Sequence, residues 1–146
     1  MSPTPPSTPP ATEALRFPPP SQGELVMKVI PMPGDVNANG DIFGGWVMAQ
    51  VDIAGSVIAV RRARGRVATV AVNSFQFKQP VSIGDLLSFW AREVNVGKTS
   101  ITVQVEVTAE RNPENPINVK VTDATLTYVA IDRSGSKRGI PNAGVS

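Results

Sequence analysis

The chain has 146 residues, 41% of them hydrophobic, and fourteen Lys and Arg against twelve Asp and Glu leave a net charge of +2. That supplies one ordinary core and too little overall field to argue for nucleic acid as a partner. There is no Cys and no His, which excludes disulfides, thiolate nucleophiles, Cys-ligated metals, Ser-His-Asp triads and His-dependent dehydratases.

Any catalyst built here works with carboxylates, hydroxyls, amides and backbone dipoles. No uninterrupted apolar run nears the ~20 residues that span a bilayer, and the first residues lack a basic n-region and an apolar h-region. A soluble, cytoplasmic protein without a membrane partner is the expectation.

Residues 1–22 hold eight of the fourteen prolines, mixed with Ser and Thr, and read as a disordered or polyproline-like tail. The spacings among Pro3, Pro5, Pro6, Pro9 and Pro10 also suit a PxxP interaction motif. One domain is expected over residues 23–141, with 142–146 as a loose C-terminal tail. Within it, Glu24 to Ile30 reads as a first strand closed by Pro31-Met32-Pro33. A loop follows to about Phe43. From Gly44 or Gly45 to Arg64 the pattern turns helical, without an internal proline, over roughly 30 Å. Arg61, Arg62 and Arg64 suit the negative end of the helix dipole, and Gly65 is the expected C′ residue. Between Trp46 and Val60 only Gln50, Asp52 and Ser56 are polar, so burial on several sides is expected.

Four strands follow, Val67 to Phe77, Leu86 to Val94, Ser100 to Glu110 and Val119 to Ile131, each rich in Val, Thr, Ile or Phe and separated by turn-like stretches. The third alternates, with Ile101, Val103, Val105, Val107 and Ala109 on one side and Thr102, Gln104, Glu106, Thr108 and Glu110 on the other, which predicts one wet face. Short connections between long strands favour antiparallel pairing. The expected fold is α+β, a five-stranded antiparallel sheet wrapped around one long central helix, because a lone sheet and a lone apolar helix bury their faces against each other.

The candidate chemistry sits where the loop Asn37-Ala38-Asn39-Gly40-Asp41-Ile42-Phe43 meets the helix. Amides of Gly44, Gly45 and Trp46 at a helix start have no intrahelical acceptor and carry the positive dipole end, so they form an oxyanion hole without side chains. The same glycines also serve a tight loop-to-helix turn. Asp52 is a carboxylate in an apolar helix and needs a partner, a raised pKa or a function. A structural Asp bonded to a backbone amide or a nearby Ser or Thr is the alternative.

Asp52 lies seven residues beyond Gly45, ~10 Å along the axis, so one substrate carbonyl does not sit ~3 Å from both. Two helices packed antiparallel across a two-fold axis remove the conflict, each lending its Asp52 to the other's Gly45 amides. A homodimer with shared sites is expected. Asn37 and Asn39 can hydrogen-bond a water or a carbonyl, or serve ordinary turn chemistry. Asp41 reads as a loop or capping acceptor. Asp123 is a carboxylate in need of a cation or a polar loop group. Gly97-Lys98-Thr99-Ser100 is not a P-loop, because Arg92 stands where the Walker pattern needs glycine. As a tight turn with Lys98 and two hydroxyls it suits either a hairpin or a phosphate, and Arg66 is a candidate neighbour.

Taken as a long ordered pattern, Asn37 to Trp46, then Asp52-Ile53-Ala54-Gly55, then Gly65-Arg66-Val67-Ala68-Thr69-Val70 resembles the YciA-type acyl-CoA thioesterases of the hotdog fold. The likeness runs from about Glu24 to Pro141. It implies a dimer with two interfacial sites, often a trimer of such dimers, and hydrolysis of the acyl-CoA thioester with no cofactor, CoA being part of the substrate. Family roles fall on Asp52 as the catalytic carboxylate, on Gly45 with Gly44 as oxyanion donors, on Asn37 beside the scissile group, and on Lys98, Thr99 and Ser100 near the CoA phosphates. A non-catalytic acyl-CoA-binding hotdog protein is the competing reading.

Overall fold

A computed structural model describes residues 23–142. The expected tail at 1–22 and residues 143–146 lie outside the described residues. The strands are β1 (Glu24–Val29), β2 (Val67–Phe77), β3 (Leu86–Val96), β4 (Ser100–Arg111) and β5 (Ile117–Ala130), and the helix α1 is Gly44–Ala63. All pairings are antiparallel, in the order β1-β3-β4-β5-β2. β2 therefore pairs with the last strand, not with β3 that follows it, and stands at one edge of the sheet.

The sheet curls about α1, which touches all five strands. Val47, Val51, Ala54, Gly55, Ala59 and Ala63 line the helix face against the sheet. Opposite them lie the buried Leu87, Phe89, Ile101, Val103, Val105, Val107, Leu126 and Tyr128. Each fully buried Val or Leu contributes about 1.5–3 kcal/mol relative to exposure.

Two expectations change. The helix is not covered on several sides: Met48 is 40%, Ile53 51% and Val60 42% exposed, because one sheet reaches only one stripe of a cylinder. β2 continues that bare surface, with Val70 at 55%, Val72 at 45% and Phe77 at 51% exposed, and among the described residues its outer edge has no neighbouring strand. The polar face of β4 is also drier than its alternation predicts. Glu106 and Thr108 are buried, because neighbouring long side chains lie over them. Lys120 Nζ reaches Glu106 at 2.6 Å and Trp90 Nε1 donates to Thr108 Oγ1 at 3.1 Å. Asp123 finds Lys120 Nζ at 3.5 Å and Gln104 Nε2 at 3.2 Å.

The helix ends through a left-handed Arg64, φ 54°, with the Gly65 N–H donating to the Val60 carbonyl at 3.3 Å. Gly65 is thus the residue after the left-handed one, a Schellman-type ending in which an arginine bears the positive φ. Arg138 Nη2 then caps the Ala63 carbonyl at 2.8 Å.

Candidate active site

The loop before α1 is held by its own polar groups. Asn37 Oδ1 accepts the N–H of Asn39 at 2.8 Å and of Asp41 at 3.1 Å, and Gly40 takes a φ of 87° at the turn, which glycine adopts without steric cost. Phe43 N–H donates to Asp35 O at 3.0 Å and Ile42 N–H to Val81 O at 2.8 Å, tying the loop to the rest of the fold. The cap position of α1 is Phe43, whose side chain makes no capping bond, so Asp41 is not the helix cap.

An uncapped start leaves donors free. The Trp46 N–H is not one of them, since it already donates to Phe43 O at 3.0 Å. Among the described residues the Gly44 and Gly45 N–H groups have no acceptor. A Cβ at Gly44 would stand 3.1 Å from the Phe77 ring, whereas one at Gly45 would meet nothing within 4 Å. The Gly45 amide is therefore the more open donor. Beside Gly44, a cavity of about 330 Å³ is lined by residues that include Asn37, Asp41, Gly44 and Phe77, while Gly45 is not part of its wall. With Asn37 Oδ1 committed to the loop, its Nδ2 is the group left to meet a ligand.

Two turns along, Asp52 is half-buried. Its Oδ1 accepts a hydrogen bond from Thr69 Oγ1 on β2 at 2.6 Å, and among the described residues no cation pairs with it. The bonded threonine of the structural alternative is thus present, yet the carboxylate stays accessible. Thr69 lies in the Gly65 to Val70 stretch that carries the family likeness, but sequence reasoning assigned it no role. It stands seventeen positions away from Asp52, and no local pattern joins the two.

Under the same turn, the buried Tyr128 donates from its hydroxyl to the Asp52 carbonyl oxygen at 2.7 Å. Burial, and then the nearby Asp52 charge and hydrogen bonding, push the phenol far above its ordinary pKa, so it remains a neutral donor.

The structure does not bring Lys98 to this place. Lys98 lines a cavity of about 520 Å³ with Arg62, Gly97, Gly139 and Pro141, at the C-terminal end of α1. Arg62 is seventeen residues beyond Gly45 in sequence, ~25 Å along the axis. The turn itself is closed by Gly97 N–H to Ser100 O at 2.8 Å, and Thr99 O accepts from Ala130 N–H at 2.9 Å. Arg66 is elsewhere, with Nη1 on Arg133 O at 3.2 Å. Arg62, which helix-dipole reasoning had absorbed, is the cation beside Lys98; its Nε pairs with Glu93 at 3.0 Å. Among the described residues no group of three or more Asp and Glu is arranged to hold a metal ion.

Within one chain, then, oxyanion-type amides, a threonine-held carboxylate and a cationic turn are strung along one helix. The profile of the thioesterase superfamily matches residues 39–115. The acyl-CoA thioester hydrolase YciA of Salmonella typhimurium is 46% identical over 125 residues, 84% of this chain and 94% of that protein. A hexameric thioesterase from Yersinia pestis superposes with a TM-score of 0.78 at 44% identity, covering 84% of this chain and 98% of that one. An acyl-CoA hydrolase from Staphylococcus aureus, at 27% identity and TM-score 0.71 over 79% of this chain and 70% of its own, has been solved with alanine replacing an aspartate and, separately, a threonine. Those two positions are seventeen residues apart, as Asp52 and Thr69 are. The likeness holds in sequence and in fold over 84% of the chain: it belongs to the thioesterase superfamily and, within it, to the YciA-type acyl-CoA thioester hydrolases of the hotdog fold.

Proposed function

We propose that the protein hydrolyses fatty acyl-CoA to the free acid and CoA, with each site assembled from two copies of the chain. The carrying observation is the separation of complementary parts: free Gly44 and Gly45 amides at the helix start and a Thr69-held Asp52 ~10 Å further along. A second copy laid antiparallel on the bare stripe of α1 brings its own helix start opposite Asp52 and continues the sheet through the open edge of β2. The apolar exposure of Met48, Ile53, Val70 and Val72 supports that interface. The hexameric relatives support a trimer of such dimers.

In this arrangement the thioester oxygen accepts N–H groups from the partner's Gly45, with Gly44 beside it, which stabilises charge as the tetrahedral centre forms. Asn37 Nδ2 contributes a further donor next to the scissile group. Asp52, oriented by Thr69, takes the proton of the attacking water as general base; direct attack to a mixed anhydride is the other route open to a carboxylate. Label from oxygen-18 water entering Asp52 in a single turnover identifies the anhydride. Lys98, with Arg62 in the same cavity wall, meets CoA phosphates; Thr99 and Ser100 in the adjoining turn, and Arg66, lie off that wall and are the weaker of these assignments. No cofactor besides the substrate's CoA takes part, and the reading carries a cytoplasmic location.

Thiol release from a series of acyl-CoA substrates tests the activity. Wild type is expected to turn over and D52N to lose at least a hundredfold in kcat, the scale of losing a central catalytic group. A wild type that binds CoA without hydrolysing any acyl-CoA returns the reading to a non-catalytic acyl-CoA-binding protein.

A further inference from the structure

Asp52 is held at its side chain and at its backbone from one register position of the sheet. Thr69 on β2 and Tyr128 on β5 are direct cross-strand partners, so their side chains leave the same face. Thr69 takes the carboxylate at 2.6 Å and Tyr128 takes the backbone carbonyl of the same residue at 2.7 Å. A helical carbonyl already accepts the N–H four residues on, and its second lone pair receives the phenol.

Room for that phenol comes from Gly55. A Cβ there would fall on the Tyr128 hydroxyl and stand 3.2 Å from its Cζ. Glycine inside a helix is unfavourable to the helix itself, and here the backbone is in ordinary helical conformation, absent from the positive-φ positions. The missing side chain, not backbone freedom, is what the position requires. Tyr128 is among the largest fully buried side chains, and a buried hydroxyl needs its partner.

We propose that Tyr128, seated in the Gly55 notch, is a positioning residue that sets the helix turn bearing Asp52, while Thr69 sets the carboxylate rotamer. This rests on the proposed role of Asp52. An arrangement held at the backbone and at the side chain keeps the carboxylate within the fraction of an ångström that a working site needs.

The test compares Y128F, G55A and G55A/Y128F with wild type and D52N in steady-state acyl-CoA hydrolysis, each checked for folded, assembled protein. Y128F is expected to lose about tenfold in kcat with KM within about twofold. G55A is expected to lose more than Y128F, because its Cβ obstructs the ring as well as the hydroxyl. In the double variant the closest obstruction, the hydroxyl, is gone, so activity should rise from the G55A level toward that of Y128F. Wild-type kcat in Y128F, or a double variant no better than G55A, overturns the proposal. A fully active D52N instead overturns the role of Asp52, so the two failures are distinguishable.

If Y128F does not fold, the chain's single tyrosine allows 3-fluorotyrosine to label position 128 alone. Its fluorine resonance is expected to shift in D52N, and an unmoved resonance refutes the coupling.

Discussion

Replacing Gly45 by proline removes one N–H from the second residue of α1 while asking little else of the fold. That N–H has no acceptor among the described residues, the space around a Cβ is open to 4 Å, and the first helical turn tolerates proline. Loss of one oxyanion donor typically costs 10²–10³ in kcat, so G45P alone should retain about 1% or less. D52N alone should be comparably inactive.

Now let the two variants exchange subunits at equal concentration. Random pairing makes about half of the dimers mixed, and a mixed dimer holds one site with both an intact Asp52 and an intact partner amide. The expected recovery is about a quarter of wild-type activity, far above the sum of the parents. The assay is thiol release after exchange, with mixed dimers verified by native mass spectrometry. If mixed dimers form and activity stays at the parental level, Asp52 and Gly45 act within one chain, and the inference from their axial separation is wrong.

Thr69→Val removes the donor to Asp52 and leaves an exposed β-branched residue in an edge strand. Stability should change by less than about 0.5 kcal/mol in urea melts, while kcat falls about ten- to a hundredfold as the carboxylate loses its orientation; equal kcat would make the 2.6 Å bond incidental. Asp85 is buried at 2% exposure and joins Ser82 N–H at 2.9 Å to Arg111 Nη2 at 2.8 Å. Asp85→Ala should cost about 2–4 kcal/mol, since Arg111 is left three-quarters buried without its counter-charge. A loss below about 1 kcal/mol would show that solvent compensates Arg111. Tyr128 is held neutral by the fold. Its raised pKa gives stability that is complete below the unfolded value of about 10 and declines as pH rises beyond it. Tyrosinate absorbance of this single tyrosine should therefore appear only with unfolding; titration of a folded protein near pH 10 would contradict its burial.

The regular elements were legible because their signals are local. Alternation over Ser100 to Glu110 marked β4, and an unbroken apolar run between glycine-rich and arginine-rich ends marked α1. Boundaries moved by at most two residues, as fraying ends do. The left-handed residue at the helix end fell on Arg64, not Gly65; Arg138 caps Ala63 across that turn, a contact from 75 residues away.

The sequence by itself narrowed the chemistry, since a chain without His or Cys leaves carboxylates, hydroxyls, amides and backbone dipoles to act. It also determined that Gly45 and Asp52 stand ~10 Å apart along one helix, because helix rise is fixed by backbone geometry. Tertiary structure alone decided what holds Asp52. Thr69 and Tyr128 come from strands distant from each other in sequence, and they converge only because β2 pairs with β5 and α1 packs across them. It alone also separated Lys98 from the oxyanion amides and joined it to Arg62. Side-chain periodicity reports which face of an element is buried, but which residues meet there depends on the order and register of strands, and no local pattern encodes that.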